Sequence, residues 1–208
     1  RMGNLSVVGS HSVNGVSELH SELLKTRLFK DFYELDPKKF NNKTNGITQR
    51  RWLQKSNPRL SDLITDSIGD KWTTDLYQLK KLQPFKDDAS FREKWQRIKI
   101  DNKKNLAAYI RKTMGVEINY NSLFDVQIKR IHEYKRQLLL SFYIISQYLK
   151  LKKNPKADIL PRTFIFGGKA APGYYMAKLI IKFINSLADV VNKDKGIGDK
   201  LKVIFLEN

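Results

Sequence analysis

The C-terminal half of the sequence alternates between short apolar segments and long amphipathic ones, and this alternation constrains the fold more than any other feature. Apolar segments at 122–128, 162–166 and 201–206 have the length and composition of buried strands. Segments at 133–151 and 173–192 carry apolar residues at helical spacing. The order strand, helix, strand, helix, strand predicts an α/β fold, a Rossmann-like parallel sheet with flanking helices.

The helix predicted over 133–151 carries apolar side chains around most of its circumference. A helix of this kind is buried, so we expect it to lie between the sheet and another part of the protein. The third predicted strand is followed only by Glu207 and Asn208. Doubly wound sheets commonly have five or more strands, and an uncovered apolar edge strand is unfavourable. We therefore expect an incomplete sheet, in a chain that is part of a longer protein.

The N-terminal region predicts a helix followed by a connector. Apolar residues recur at helical spacing over 16–28, and Asn14 could cap the first turn of that helix. Residues 29–44 are polar and contain a proline, which is typical of a connector.

A domain boundary is predicted at the turn signal formed by Asn45 and Gly46. Residues 1–44 would complete one domain and its connector, and residues 45–208 would form the first part of another. Beyond the boundary the helical patterns are two short ones and then a long charged one, at 48–55, 61–68 and 90–114.

Four cations and a histidine follow the first predicted strand, at Lys129, Arg130, His132, Lys135 and Arg136. The predicted helix would begin among them, and a helix N-terminus already carries partial positive charge. Cations there are unfavourable by a few tenths to about 1 kcal/mol each unless an anion binds. We favour an anion site over the alternative of a solvated basic turn.

A glycine-rich segment follows the second predicted strand, at 167–174. Gly167 and Gly168 permit positive φ angles and close approach of the backbone to a ligand. Lys169 directly follows the glycine pair and no Ser or Thr comes after it, so the segment is not a Walker loop. A phosphate loop and an ordinary strand-to-helix turn both remain open.

The composition excludes several kinds of chemistry. The sequence contains no Cys, which excludes disulfides and thiolate chemistry. His11, His20 and His132 lack the spacing of metal ligands, so we predict no metal site. No apolar run is long enough to span a membrane. The N-terminus lacks the apolar segment of a secretory signal, and we expect a cytoplasmic protein.

The charge is strongly positive, with 39 Lys and Arg against 21 Asp and Glu and a formal net charge of +18. Such a surplus is typical of proteins that bind nucleic acid or another polyanion. The lysines are spread along the chain rather than packed into one tract, and spread lysines indicate a solvated surface. A basic RNA-binding module is therefore an alternative hypothesis and not the favoured one.

At four segments the sequence resembles the α-glucan phosphorylases, the family of glycogen and starch phosphorylases. They are NKTNGIT at 42–48, RRW at 50–52, the basic segment at 126–137 and the glycine-rich segment at 167–174. The similarity covers essentially the whole chain, and four long motifs in the same order make it specific.

The resemblance implies a two-domain GT-B glycosyltransferase fold with the active site between the domains. It implies an allosteric, dimeric enzyme of glycogen metabolism that releases glucose 1-phosphate from terminal α-1,4-glucosyl units with inorganic phosphate. It also implies pyridoxal phosphate as cofactor, whose phosphate rather than ring exchanges a proton with substrate phosphate. The α-1,4-glucan and phosphate would be the partners, and no nucleic acid or membrane is expected.

Position by position, the resemblance assigns roles to five residues. Arg130 and Lys135 look like the catalytic cations that hold substrate phosphate. Lys129 and Lys135 look like contacts to the cofactor phosphate, and Trp52 looks like part of the cofactor pocket. Asn45 looks like a contact to glucosyl hydroxyls.

A purine-type inhibitor site, known in animal members of the family, is implied around Tyr174. Glu133, His132 and Ala171 would lie near it. The sequence departs from the pattern of many relatives here, with Tyr175 in place of His, and also at Gln49 in place of Pro. These departures leave the proposed phosphate contacts unchanged.

The family binds its cofactor to a lysine in a Gly-Thr-Gly-Asn-Met-Lys motif, which this sequence does not contain. We expect that lysine beyond Asn208, and we expect the chain alone to be inactive. A non-enzymatic scaffold built on a degenerate phosphorylase is a further alternative. The sequence leaves open whether the substrate is glycogen, starch or maltodextrin.

Overall fold

The computed structural model describes residues 1–207 of the protein. It divides into two compact units, Arg1–Lys81 (unit 1) and Leu82–Asn208 (unit 2). The domain boundary expected near Asn45 concerns the longer protein and stays a prediction. No helix in the described part of the chain is both long enough and apolar enough to cross a membrane.

Unit 1 consists of short helices and a pair of short strands. Its elements are α1 (Met2–Gly9), β1 (Val13–Gly15), α2 (Glu18–Leu23), α3 (Lys30–Leu35), β2 (Phe40–Asn42) and α4 (Pro58–Ile68), with π-helical turns at Leu24–Leu28 and Arg50–Lys55 and 3-10 segments at Pro37–Lys39 and Asp70–Thr73. β1 and β2 pair in parallel, with Val13 opposite Phe40. Trp72 is the most buried large side chain of this unit.

Two sequence expectations for unit 1 are wrong. Asn14 lies in β1 and does not cap a helix; Ser17 caps α2, where its hydroxyl oxygen accepts from the backbone N–H of His20 at 3.2 Å. Residues 29–44 are not an irregular connector, because they form α3, a 3-10 turn and β2. The pairing of β2 with β1 and the burial of Phe40 order a segment whose local sequence looks irregular.

Unit 2 has the predicted alternation. A 3-10 segment at Leu76–Asp87 begins in unit 1, continues into unit 2 and leads into α5 (Ala89–Met114). The elements that follow are β3 (Leu123–Ile128), α6 (Gln137–Lys153), β4 (Arg162–Gly167), α7 (Tyr175–Lys193) and β5 (Leu201–Leu206), with short 3-10 turns at Glu133–Lys135 and Lys195–Lys200. The sheet order is β3-β4-β5 and both strand pairs are parallel. The predicted α/β class and parallel sheet are confirmed.

Side chains of β4 alternate between two cores, as the pleat requires. Phe164 and Phe166 pack with residues of α6 and α7, whereas Ile165 packs with Ile110 of α5 and Ile204 of β5. The sheet therefore has helices on both faces, as the sequence predicts.

Helix α6 is buried on one side only within residues 1–207. Ile144 and Leu151 are fully buried, whereas Leu139 is 60%, Phe142 53% and Leu149 58% exposed. The expectation that α6 is covered all round is not met in the described part of the chain. The helix also begins at Gln137 rather than near residue 133.

Candidate functional site

Two loops meet where β3 and β4 end. Ile128 and Gly167 are paired at the carboxyl ends of these strands. Beyond them, the N–H of Lys129 donates to the carbonyl of Gly167 and the N–H of Ile131 donates to the carbonyl of Lys169, both at 3.0 Å. The segment 129–136, called the basic junction, and the segment 167–174, called the glycine loop, therefore form one continuous surface.

Gly168 permits this close approach of the two loops. Its φ angle is 143°, and a Cβ atom at this position would collide with the carbonyl oxygen of Lys129. The sequence suggested that the glycines make room for a ligand. In the structure, Gly168 makes room for the backbone of the basic junction.

The interior of the basic junction is held by one apolar and one polar side chain. Ile131 is 2% exposed and packs in the core shared by α6 and α7. Gln137, the fully buried first residue of α6, donates from Nε2 to the carbonyl of Arg130 at 3.2 Å and accepts at Oε1 from the N–H of His132 at 3.4 Å. The backbone on both sides of Ile131 is thereby tied to the helix.

A second glutamine holds the other end of the basic junction. Gln127 of β3 donates from Nε2 to the carbonyl of Lys135 at 2.9 Å. Its Oε1 is buried and has no hydrogen-bond partner in the described part of the chain. An unpaired buried acceptor costs about 1–3 kcal/mol, so Gln127 is a polar group kept at an energetic cost.

In the described part of the chain, the cations of the basic junction pair with no carboxylate. Lys129 and Arg130 are exposed and Lys135 is half-buried. Within residues 1–207, none of these three side chains forms an ion pair with a carboxylate. Arg136 and Lys169 add two more exposed cations at the same edge. Unneutralised Lys and Arg side chains grouped in this way favour a bound anion.

The basic junction lies before α6 and not within its first turn. Lys129 and Arg130 are separated from the helix by the 3-10 turn at Glu133–Lys135 and by Arg136, whose φ angle is 63°. Because the helix dipole acts mainly within the first turn, its repulsion of Lys129 and Arg130 is weaker than the sequence suggests. The backbone anchors rather than the dipole determine where these cations lie.

Tyr174 of the glycine loop contacts the basic junction. Its hydroxyl donates to Oε2 of Glu133 at 2.6 Å and accepts from the N–H of Glu133 at 3.2 Å. The bond to the Glu133 carboxylate raises the pKa of Tyr174 above its ordinary value. The ring of His132 lies edge-on to the ring of Tyr174, with 4.9 Å between the ring centroids. The centroid of the His132 ring is also 4.1 Å from that of the Tyr134 ring.

The structure therefore brings three of the four residues of the predicted inhibitor site into contact, namely His132, Glu133 and Tyr174. The fourth, Ala171, is exposed and lies in the same turn, where its carbonyl accepts from the N–H of Tyr174 at 2.9 Å. No group of three or more His, Asp or Glu residues in the described chain could hold a metal ion.

Two predicted site residues belong to unit 1. Asn45 is exposed in an extended segment, where its N–H donates to the carbonyl of Val16 at 3.0 Å. Trp52 lies in the π-helical turn Arg50–Lys55 and is 72% exposed. An indole this exposed contributes little to the packing of unit 1, which is consistent with a binding role.

Sequence reasoning missed Gln127 and Gln137. Gln137 is a polar residue directly before the apolar run of α6, and that position was an available signal. Gln127 lies on the same face of β3 as Asp125, so its strand offered no such signal. Their partners are backbone carbonyl and N–H groups, which carry no side-chain identity, so the contacts themselves could not be read from the sequence.

Comparison with known proteins places the chain among phosphorylases. The family model described as carbohydrate phosphorylase matches residues 1–208. A glycogen phosphorylase of Synechocystis sp. is 60% identical over 206 residues, which cover 99% of this chain and 24% of that protein. The muscle form of glycogen phosphorylase from Oryctolagus cuniculus is 55% identical over 207 residues, covering 100% of this chain and 25% of that protein. The chain spans about a quarter of the length of the curated relatives it matches.

Proposed function

Because this chain belongs to the carbohydrate phosphorylase family, we propose that the enzyme carrying it cleaves terminal α-1,4-glucosyl units of a glucan with inorganic phosphate and releases glucose 1-phosphate. The parallel sheet of unit 2 agrees with the GT-B fold of that family. The alternative of a basic module that binds RNA or nucleotides rests on the net charge and the βαβ repeats, whereas the family match covers the whole chain.

The observation that carries the proposal is the group of unpaired cations on the basic junction. Phosphorolysis brings a phosphate dianion into an active site, and closely placed cations stabilise that charge and the charge that develops in the transition state. Arg130 offers the planar donor pair that suits bidentate contact with phosphate, and Lys135 offers a compact point charge. In our proposal both hold substrate phosphate.

The same residues fit a second phosphate, that of pyridoxal phosphate. Among residues 1–207, the basic junction offers cations that pair with no carboxylate, which is the chemistry that a phosphate monoester requires. When bound, this cofactor supplies a phosphate group that can exchange a proton with substrate phosphate. Lys129 and Lys135 would bind the cofactor phosphate, and Trp52 would line its pocket.

The cations also make the proximity of two phosphates tolerable. Like charges placed close together raise each other's pKa, and nearby cations lower it again. Lys135, which we assign to both phosphates, would hold them at proton-transfer distance while its charge offsets their repulsion. Asn45 would bind glucosyl hydroxyls, and Tyr174 with His132 would form an aromatic site for a purine-type inhibitor.

The direct test is phosphorolysis by the complete enzyme that carries this chain, measured as glucose 1-phosphate released from glycogen and phosphate. Arg130→Ala should lower kcat/KM for phosphate by about 100- to 1,000-fold, the range seen when one transition-state donor is removed. Arg92→Ala, which removes an exposed arginine of α5, is the matched control and should behave as wild type. Wild-type phosphate kinetics in Arg130→Ala would refute the role assigned to Arg130.

Preference for glycogen, starch or maltodextrin is a separate question. Initial rates of the same enzyme with each glucan at equal concentrations of chain ends would rank them. The dimeric state, the allosteric regulation and the cytoplasmic location expected from the sequence stay predictions.

A further inference from the structure

The two cations proposed to bind substrate phosphate are held in place by the same kind of hydrogen bond. Each is held through its backbone carbonyl by the side-chain amide of a glutamine, Arg130 by Gln137 and Lys135 by Gln127. One glutamine begins α6 and the other lies in β3. The rigid elements on either side of the basic junction therefore each support one of its cations.

We propose that Gln137 and Gln127 are positioning residues for phosphate recognition, an inference that rests on the phosphorolysis proposed above. No carboxylate in the part of the chain that the structure describes pairs with Arg130 and could orient its side chain. The position of Arg130 is set by its backbone. Gln137 bonds to the carbonyl of Arg130 on one side of the buried Ile131 and to the N–H of His132 on the other.

The bonds made by Gln137 distinguish positioning from helix capping. A residue that caps a helix accepts from N–H groups of that helix's own first turn. Gln137 instead bonds to Arg130 and His132, which both precede α6. Both hydrogen bonds of the amide therefore go to the basic junction and not to the first turn of α6.

Gln127 also bonds to the basic junction, and it does so although its own oxygen is left without a partner in the described chain. The Lys135 carbonyl can only accept, so the amide must present Nε2 to it, and this leaves Oε1 buried without a partner among residues 1–207. An apolar side chain at this position would avoid the unpaired oxygen. Retaining the amide is understandable if holding Lys135 matters more than a fully satisfied interior.

The test separates phosphate recognition from general stability in the complete enzyme. Gln137→Met keeps the side-chain length and removes both hydrogen bonds. We expect this variant to raise KM for phosphate about 10- to 100-fold, the range of a displaced reacting group, and to leave KM for the glucan within about twofold of wild type. Gln127→Met should act in the same way through Lys135.

Ser141→Ala is the matched control. Ser141 is fully buried, lies one turn along α6 and donates to the carbonyl of Gln137 at 3.0 Å, so its removal tests the loss of a buried hydrogen bond next to the same residue. This variant should lower the thermal midpoint and leave KM for phosphate unchanged.

Each outcome is informative. Equal increases in KM for phosphate and glucan, an unchanged KM for phosphate, or a phosphate effect as large in Ser141→Ala would each overturn the inference while wild-type phosphorolysis stands. If Gln137→Met does not fold, Gln127→Met decides, because it removes the corresponding bond to the Lys135 carbonyl from a different element. An inactive wild-type enzyme would instead overturn the proposed function.

Discussion

Two cations near the start of the strands of the unit 2 sheet differ from two cations that follow a strand. Lys152, near the end of α6, pairs with Asp194 at 2.9 Å, and Arg162, the first residue of β4, pairs with Asp125 at 3.1 Å. After β3, Lys129 and Lys135 pair with no carboxylate of the described chain. We call the side of the sheet with Lys152 and Arg162 the neutralised edge and the side with Lys129 and Lys135 the binding edge. We infer that the two ion pairs of the first serve stability and that the two cations of the second serve binding.

The largest expected effect comes from removing one cation at each edge. Lys135→Ala should lower kcat/KM for phosphate about 100- to 1,000-fold and leave the thermal midpoint unchanged or slightly higher, because like charges around it repel. Lys152→Ala should lower the midpoint slightly and leave phosphate kinetics unchanged. Kinetics and thermal unfolding of both variants check this. A loss of phosphate kinetics in Lys152→Ala, or its absence in Lys135→Ala, would contradict the division between the two edges.

Gly168→Ala tests whether the binding edge depends on the close contact of its two loops. The positive φ angle and the collision with the Lys129 carbonyl should lower stability by about 1–3 kcal/mol and displace the basic junction. Gly173→Ala is the control, since a Cβ atom there meets open space. Urea unfolding measures the difference. Similar midpoints for the two variants would show that the loops adapt to the added methyl group.

The sequence predicted the two edges unequally well. Apolar periodicity predicts the strands and helices of unit 2, because each element's pattern is local. The basic junction was found for the same reason, since its cations are adjacent in sequence. The left-handed conformation of Arg136 and the pairing of β1 with β2 were not predicted, because tertiary contacts override local preference there. The Asp194 pairs were also missed, since Lys152 and Asp194 meet only once α6 and α7 pack.

Acid should weaken the neutralised edge. The hydroxyl of Tyr148, then the ammonium of Lys152 and the N–H of Gly196, lower the pKa of Asp194 to about 2. A lowered folded-state pKa stabilises the protein above the unfolded value near 3.8 and loses that contribution as pH falls toward about 2. The difference in thermal midpoint between wild type and Asp194→Asn should therefore be constant well above pH 3.8 and shrink as the pH falls from 3.8 toward about 2. A difference that does not change with pH would contradict the assigned cause.

The binding edge should show the opposite and smaller dependence. The bond from Tyr174 to the Glu133 carboxylate raises the pKa of the phenol. A raised folded-state pKa stabilises the protein below the unfolded value near 10.0, and the contribution is lost as pH rises through the folded value. Tyr174→Phe should therefore lower the thermal midpoint at neutral pH, and this difference from wild type should disappear in strong alkali. Tyr175→Phe, which changes the exposed tyrosine next to it, should leave the midpoint as in wild type at both pH values.

The change in midpoint with pH should be smaller for Tyr174 in alkali than for Asp194 in acid, because Asp194 accepts three hydrogen bonds and Tyr174 makes a single bond to a carboxylate. An alkaline change equal to the acidic one would mean that the binding edge also contributes substantially to stability.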